Sequence, residues 1–306
     1  MAYTDREDLN YLGQLFLIGQ NQTPFLNMIG GVNGAKTCKS FAFPVAQPYS
    51  LTSASQPAIT EAASVSGQTP GTYTRGQDYN TVQIFQRAYS VSYAKQSAYG
   101  EISGLSILGD QVVMDEMDFQ RQAALKQISI DMEFSFLQGT YQLGSNATTA
   151  AKTRGLKNAI ATSTVAGSSA LLTKAMINEV LREMATNGAI FENMVILANA
   201  YQKQVLTDIY GYAPADRSVG GVNVKQIETD FAMFGIVYAP QMPTDEIYFT
   251  DISVCAPMVL PVGNQLILDE EKAYVGASKG GQIYCQAGID YGPEEYHGSI
   301  TGLKNT

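Results

Sequence analysis

The stretch from Gly109 to Gly139, GDQVVMDEMDFQRQAALKQISIDMEFSFLQG, carries the clearest pattern in the chain. Gln111, Asp115, Asp118, Gln122, Lys126, Ser129 and Glu133 follow one another at steps of three or four, which on a helix draws one polar stripe. Val113, Met117, Ala124, Ile128 and Met132 run beside the stripe, and Phe119, Ala123, Ile130, Phe134 and Leu137 flank its other side. Asp110 suits the start as a cap and Gly139 suits the end. At ~1.5 Å per residue the rod is ~40 Å long, against an average helix of ~12 residues. No heptad continues past it, so a coiled coil is the weaker reading. The stripe is expected to face solvent or a polar neighbour.

Upstream, residues 36–95 read as strands with few charges. Phe41-Ala42-Phe43 alternates, while Pro44 and Pro48 keep that limb off any central strand. Thr81 to Phe85 and Tyr89-Ser90-Val91-Ser92-Tyr93 form the second limb, the latter alternating strictly. Between the limbs, Ser50 to Gly71 is rich in Ser, Thr, Ala, Gly and Pro and holds one charge, Glu61. A stretch of that length without structure of its own is uncommon inside a compact domain, so the limbs and tip together suggest a hairpin leaving the body. Before it, residues 1–35 suggest an arm in which Leu9, Leu12, Leu15, Phe16 and Ile18 recur at roughly helical spacing until Pro24.

Downstream, residues 145–172 read as a loop and Lys174 to Ala185 as a second helix. Met194 to Leu197 reads as a buried strand, and Asn199 as the cap of a short helix reaching Tyr210. Strands are expected at 222–227, 234–238, 247–250, 254–260, 265–275 and 282–290, with a turn at Gly280-Gly281 before the last. The fold class is therefore α+β.

The 306 residues hold 19 basic and 28 acidic side chains, a formal net charge of −9. That balance argues against a main affinity for nucleic-acid phosphate, which depends on Lys and Arg. A charged fraction of 15% with 10% aromatics is the composition of a folded chain. No run approaches the ~18 apolar residues of a membrane span, and the polar start is unlike a secretory signal. The single His, His297, excludes a multi-His metal site. Cys38, Cys255 and Cys285 are too scattered for a zinc spacing or a disulfide framework and read as free buried thiols. The carboxylate groups Asp115/Glu116/Asp118, Asp269/Glu270/Glu271 and Glu294/Glu295 read as a solvated helix face, a turn and a polar tail. None of the paired glycines precedes Lys-Ser/Thr, so no phosphate loop is present. The chain offers no credible active site, and neither an enzyme nor a cofactor is expected.

Several segments resemble one family. Phe25-Leu26-x-x-Ile29-Gly30, Gln56-Pro57-Ala58-Ile59-Thr60-Glu61, Thr74-Arg75-x-Gln77-x-x-Asn80-x-x-Gln83-Ile84-Phe85 and Val91-Ser92 are similar to tailed-bacteriophage major capsid proteins with the Hong Kong-97-type fold. The order of elements agrees across nearly the whole chain. The resemblance implies an N-terminal arm at 1–35 and an extended loop at 36–95. It implies a peripheral domain at 96–190 and 262–306, containing a spine helix at 109–139, and an axial domain at 191–261. It also implies hexamers and pentamers tiling an icosahedral shell in a virion assembled in bacterial cytoplasm. Double-stranded DNA would be touched non-specifically on the inner face, without any membrane. A portal, a decoration protein and a separate scaffolding protein are the further partners expected, the last because only about 35 residues precede the loop. An encapsulin-like nanocompartment shell, or another non-enzymatic structural or surface protein, is the alternative.

For contacts between subunits, the candidates are Leu12, Leu15 and Phe16 of the arm, with Arg75, Asn80, Gln83, Phe85, Arg87, Tyr89, Val91 and Tyr93 of the loop. Asp115 and Asp118 of a neighbour's spine helix are the expected partners for Arg75 and Arg87.

Overall fold

Pro24 stands at the first position of a short helix, α1 (Pro24–Met28), and Phe25, Leu26 and Met28 turn inward from it. The computed structural model describes residues 22–46, 49, 51, 53–67, 69–94, 116–210, 216–219, 222–273 and 276–305. After α1 come β1 (Lys36–Thr37) and β2 (Ala42–Ala46), then α2 (Glu61–Ser66), β3 (Asp78–Thr81) and β4 (Gln83–Ser92). The long helix is α3 (Glu116–Gln138), and the expected start at 109–115 lies outside the described residues. Its end is a close approach. Gly155 N–H donates to the Gly139 carbonyl, and a Cβ on Gly139 would collide with the carbonyls of Ser135 and Thr153.

The chain continues with α4 (Leu156–Ala159), β5 (Thr164–Ala166), α5 (Lys174–Thr186), β6 (Met194–Ala198) and α6 (Ala200–Tyr210). The caps follow from the sequence. Thr173 accepts from Met176 N–H and opens α5, and Asn199 accepts from Gln202 N–H at 2.9 Å and opens α6. Strands β7 (Asp216–Val219), β8 (Val222–Glu228), β9 (Met233–Tyr238), β10 (Ile247–Asp251), β11 (Ala256–Val259), β12 (Ile267–Ala273), β13 (Ser278–Asp290) and β14 (His297–Thr301) complete the described elements.

Two sheets organise the body. A seven-stranded mixed sheet runs β5-β14-β10-β6-β9-β8-β7. Its central strands β6 and β10 are buried at every residue, as their continuous apolar runs require. On one face Ile196, Ile236, Ile247 and Phe249 pack with Ile177, Val180, Leu181 and Met184 of α5 and Leu206 of α6. On the other, Val195, Leu197, Val237 and Tyr248 join the core built around α3. The second sheet has five strands. β13 pairs antiparallel with β11 and β12 on one edge and with β4 on the other, and β1 runs parallel to β11. Phe85 and Tyr89 of β4 and Ile283, Cys285, Ala287 and Ile289 of β13 face Ile128, Met132 and Phe136 of α3. β2 and β3 form a separate two-stranded ribbon. β5 and β14, both assigned to the peripheral domain from sequence, hydrogen-bond into the seven-stranded sheet.

Four local expectations change, the first being that residues 145–172, read as a loop, contain α4 and β5. Gly280-Gly281 is no turn but lies inside β13, where Gly281 stands opposite Tyr89. A Cβ there would sit 2.5 Å from the Tyr89 hydroxyl, so the glycine makes room for the ring. Asp269 to Glu271 lie in β12 rather than a turn. The loop tip, expected to be structureless, contains α2, which Thr60 caps by accepting from Ala63 N–H at 3.2 Å.

Candidate functional site

The segment between β2 and β3 is exposed at almost every described residue from Tyr49 to Gln77, apolar side chains included. Val65 is 84% exposed, Leu51 69%, Tyr49 67%, Tyr73 65% and Ile59 56%. Side chains of this type normally reach a core, yet among the described residues none of these five belongs to one. A second exposed apolar group, Ile190, Phe231 and Met233, lies where β6 and β9 begin. There the Phe231 ring sits 5.7 Å from that of Phe191.

The root of the projection is fixed by contrast. Asn80 is fully buried. Its amide donates to the carbonyls of Ile289 at 2.7 Å and Arg154 at 3.1 Å, and its Oδ1 accepts Arg154 N–H and Thr81 N–H at 2.8 Å each. Arg154 Nη1 donates to Asp78 Oδ2 at 3.2 Å and to the Tyr291 hydroxyl at 3.1 Å, and its guanidinium lies over the Tyr141 ring. Tyr291 in turn donates to Asp78 at 2.9 Å, and burial pushes its phenol up, keeping it a donor. Phe43, Cys38 and Val82 form a small core beneath this network. Val82 N–H donates to the Phe41 carbonyl where the chain changes from the β2-β3 ribbon to the five-stranded sheet.

The candidate contact residues therefore divide. Arg75 is exposed on the projection and forms a β-bridge with Tyr49. Tyr93 is half exposed, and Asp118 is exposed near the start of the described part of α3. Asn80, Phe85, Tyr89 and Val91 are buried in their own chain, which corrects the expectation that they face a neighbour. The alternation that marked β4 as one-sided is real, but its apolar side lies under its own α3. Gln83 is partly buried, with its Oε1 accepting Thr153 N–H at 3.4 Å. Arg87 pairs with Asp131 of its own long helix at 2.6 Å, which corrects the pairing expected with a neighbour's Asp115 or Asp118. Leu12, Leu15, Phe16 and Asp115 lie outside the described residues.

The polar stripe of α3 is also not uniformly solvated. Asp118 and Gln122 are exposed, whereas Glu133 is sealed and accepts from two backbone amides of α1. Tyr89 donates to Asp269 at 3.2 Å, and Arg121 pairs with the same carboxylate. Burial, followed by the field of Asp269, raises the Tyr89 phenol. Sequence reasoning missed Glu133, Arg154 and Tyr141 as structural anchors, because their partners lie tens to hundreds of residues away and no local spacing marks them.

These groups anchor and do not react. His297 is fully buried, with Nε2 2.6 Å from the Tyr291 carbonyl, and burial lowers its affinity for a proton. All three thiols are free and buried. Burial raises Cys38, pushes Cys285 up to about 12, and raises Cys255 further. Among the described residues no group of His, Cys, Asp and Glu is placed to hold a metal ion, and no helix is long and apolar enough to cross a membrane.

Solved structures that share this architecture include three shells. The cyanophage A-1(L) capsid subunit superposes with a TM-score of 0.67 at 14% identity, covering 96% of both chains. The SrpI encapsulin of Synechococcus elongatus PCC 7942 gives 0.61 at 12% identity, covering 100% of this chain and 98% of that one. The capsid protein of a native GTA particle gives 0.59 at 12% identity over 96% and 94%. These likenesses establish the Hong Kong-97-type fold. No curated protein sequence matches the chain. The family profile decides between phage capsid and nanocompartment, because it describes the SU10 major capsid protein and matches residues 2–304. A loop whose described apolar side chains stay exposed, the shell fold and a match over nearly every residue lead to one conclusion: the chain belongs to the SU10 major capsid protein family, a family of structural proteins and not of enzymes.

Proposed function

We propose that this capsid protein tiles its shell as hexamers and pentamers, with the segment from Tyr49 to Gln77 lying across an adjacent subunit. The observation that carries the reading is the series of exposed apolar side chains on that segment, Tyr49, Leu51, Ile59, Val65 and Tyr73. A two-stranded ribbon is marginal in water on its own and needs a surface. Covering ~100 Å² of apolar side chain contributes roughly 2.5 kcal/mol at ~25 cal/mol per Å², so a few such residues repeated at every subunit boundary make a substantial contribution. Ile190, Phe231 and Met233 offer a second apolar contact. Arg75 and Tyr93 remain contact candidates, with Asp118 as the acidic partner.

Under this reading the arm is residues 1–35 and the extended loop begins at 36. The peripheral domain is built on α3 and the five-stranded sheet, and it includes β4. The axial domain is built on the seven-stranded sheet, and β5 and β14 go with it. Assembly takes place in the bacterial cytoplasm with a separate scaffolding protein, a portal and a decoration protein. Packaged double-stranded DNA meets the inner face without sequence preference, and the charge of −9 suits a wall that releases its genome. Electron microscopy of the purified, overexpressed protein tests the reading. Rings or closed shells of repeating capsomers are expected. A chain that stays monomeric at every concentration, with and without scaffolding protein, would sink it.

A further inference from the structure

Two stretches of chain cross side by side between the sheets. β10 ends in the seven-stranded sheet at Asp251, and β11 begins in the five-stranded sheet at Ala256. β13 ends in the five-stranded sheet at Asp290, and β14 begins in the seven-stranded sheet at His297. Thr250 stands opposite His297 in one sheet and Ala256 opposite Asp290 in the other, so residues 251–255 and 291–296 run as a pair from sheet to sheet. They approach closely at Gly292, whose φ is +67° and where a Cβ would lie 2.9 Å from the Cβ of Val254. A double crossing of this kind is a place where one sheet can turn against the other.

His297 pins the crossing. Its side chain is fully buried, and its Nε2 lies 2.6 Å from the carbonyl of Tyr291, at the far end of the second stretch. A carbonyl only accepts, so Nε2 carries the ring proton and Nδ1 presents a lone pair. Among the described residues Nδ1 has no hydrogen-bond partner, and neither has the buried hydroxyl of Thr250, its neighbour across the pairing. A second proton can enter only at Nδ1, where it leaves a charged, sealed N–H without an acceptor.

The groups around the ring are engaged elsewhere. The field of Asp251 favours a charged ring, but its Oδ1 accepts the N–H and hydroxyl of Ser253 at 2.8 and 2.6 Å. Asp290 holds Lys36 and Gly292 N–H, and the Tyr291 hydroxyl donates to Asp78. On β10, Tyr248 donates to Glu246, which pairs with Lys157. Cys255 is a buried neutral thiol. In the turn before β14, Glu294 accepts from the Thr162 hydroxyl at 2.6 Å, and Glu295 and Tyr296 are partly exposed. β5 brings no titratable group. α5 packs on the other face of β14, where Met184 and Val180 lie against Gly298, so its Lys174, Glu179, Arg182 and Glu183 do not face the ring.

We propose that this double crossing is an acid-released hinge, held by His297 while the ring is neutral and freed when the ring takes up a second proton. In the closed form a charged ring has neither water nor an acceptor at Nδ1, and in the released form water surrounds it. Burial outweighs the Tyr291 bond and the field of Asp251, so the closed ring binds a proton less tightly than the released one. Closing is therefore fully favoured above the ordinary histidine value of 6.5, and the advantage is lost progressively as pH falls below it. The loss approaches ~10-fold per pH unit until the closed ring itself titrates. His297 is the single histidine, so no other imidazole contributes. The inference does not depend on the shell reading. In a particle, the joint between the two sheets of each subunit would soften in acid.

Hydrogen exchange on the full-length protein, followed by mass spectrometry between pH 5 and pH 7.5 and corrected for base catalysis, reads the hinge directly. Opening of the peptides spanning 251–256 and 290–301 should rise about tenfold as pH falls across that range, while peptides from α6 keep constant protection. In H297Q the amide can still donate to the Tyr291 carbonyl but cannot titrate, so the rise should vanish. A flat wild-type profile, or the same rise in H297Q, overturns the proposal. If H297Q does not fold, nitrogen NMR of the wild-type chain labelled in its one histidine decides the question. The ring should stay neutral, with its proton on Nε2, for as long as the two crossings remain protected. A ring that charges at the ordinary value without loss of protection overturns the hinge.

Discussion

The segment from Tyr49 to Gln77 and strand β4, which follows a few residues later, carry apolar side chains of the same kinds and end in opposite surroundings. In β4, Phe85, Tyr89 and Val91 alternate onto one face and are buried in the subunit's own body. In the projection, Tyr49, Leu51, Ile59, Val65 and Tyr73 follow no single period and stay open to solvent. The difference lies in what pairs with the backbone. β4 runs for ten residues along β13, so its alternate side chains arrive together on α3. Among the described residues the projection has only a β-bridge at Tyr49 and Arg75 and the short α2, so its described side chains do not converge on one described surface of their own chain. Apolar residues in the first setting stabilise the fold, and in the second they are free to stabilise an assembly.

That comparison breaks if the two regions respond alike to truncation. Phe85→Ala should destabilise the subunit by about 3–5 kcal/mol, as large buried aromatics do, measured by urea unfolding of unassembled protein. Tyr73→Ala should stay within about 0.5 kcal/mol of wild type in the same measurement. A large effect of Tyr73→Ala would mean that the projection has a surface in its own chain.

The boundary between the regions is sharpened at the root. Asn80→Ala leaves the carbonyl of Ile289 and both backbone groups of Arg154 without their side-chain partner. It should cost roughly 2–3 kcal/mol and raise the protease sensitivity of the projection. A neutral result would show that the root is not where the projection is held.

The smallest effect belongs to the Arg87–Asp131 pair, in which both side chains are at least a third exposed. Arg87→Ala should change stability by less than about 1 kcal/mol, and by less still in high salt. Failure to assemble in this variant, with normal stability, would return Arg87 to a contact with a neighbour.

Much of the body was legible because its signals are local. The long helix announced itself through period and length, β6 through an unbroken apolar run, and α5 and α6 through a periodic face and the Asn199 cap. The projection was legible from Pro44, from its low charge and from its length. Three features were not. β4 showed a correct alternation, but which body covered its apolar face depended on β13, nearly two hundred residues later. Glu133 fitted the polar stripe by spacing, and only the arrival of α1 sealed it. Gly280-Gly281 looked like a turn, because the ring of Tyr89 that explains Gly281 belongs to a distant strand. Spacing along one helix or strand says which side chains share a face, and it does not say what arrives to cover that face.

The central claim is that the projection belongs energetically to a neighbouring subunit. Deleting residues 52–72 tests it most directly, under conditions in which the full-length chain forms shells, with circular dichroism reading the fold and sedimentation the assembly. The account predicts an unchanged spectrum and melting temperature for the unassembled subunit together with the absence of closed shells. Loss of the fold would show that the projection is part of its own subunit's core, and normal shells would show that it is dispensable; either result contradicts the account.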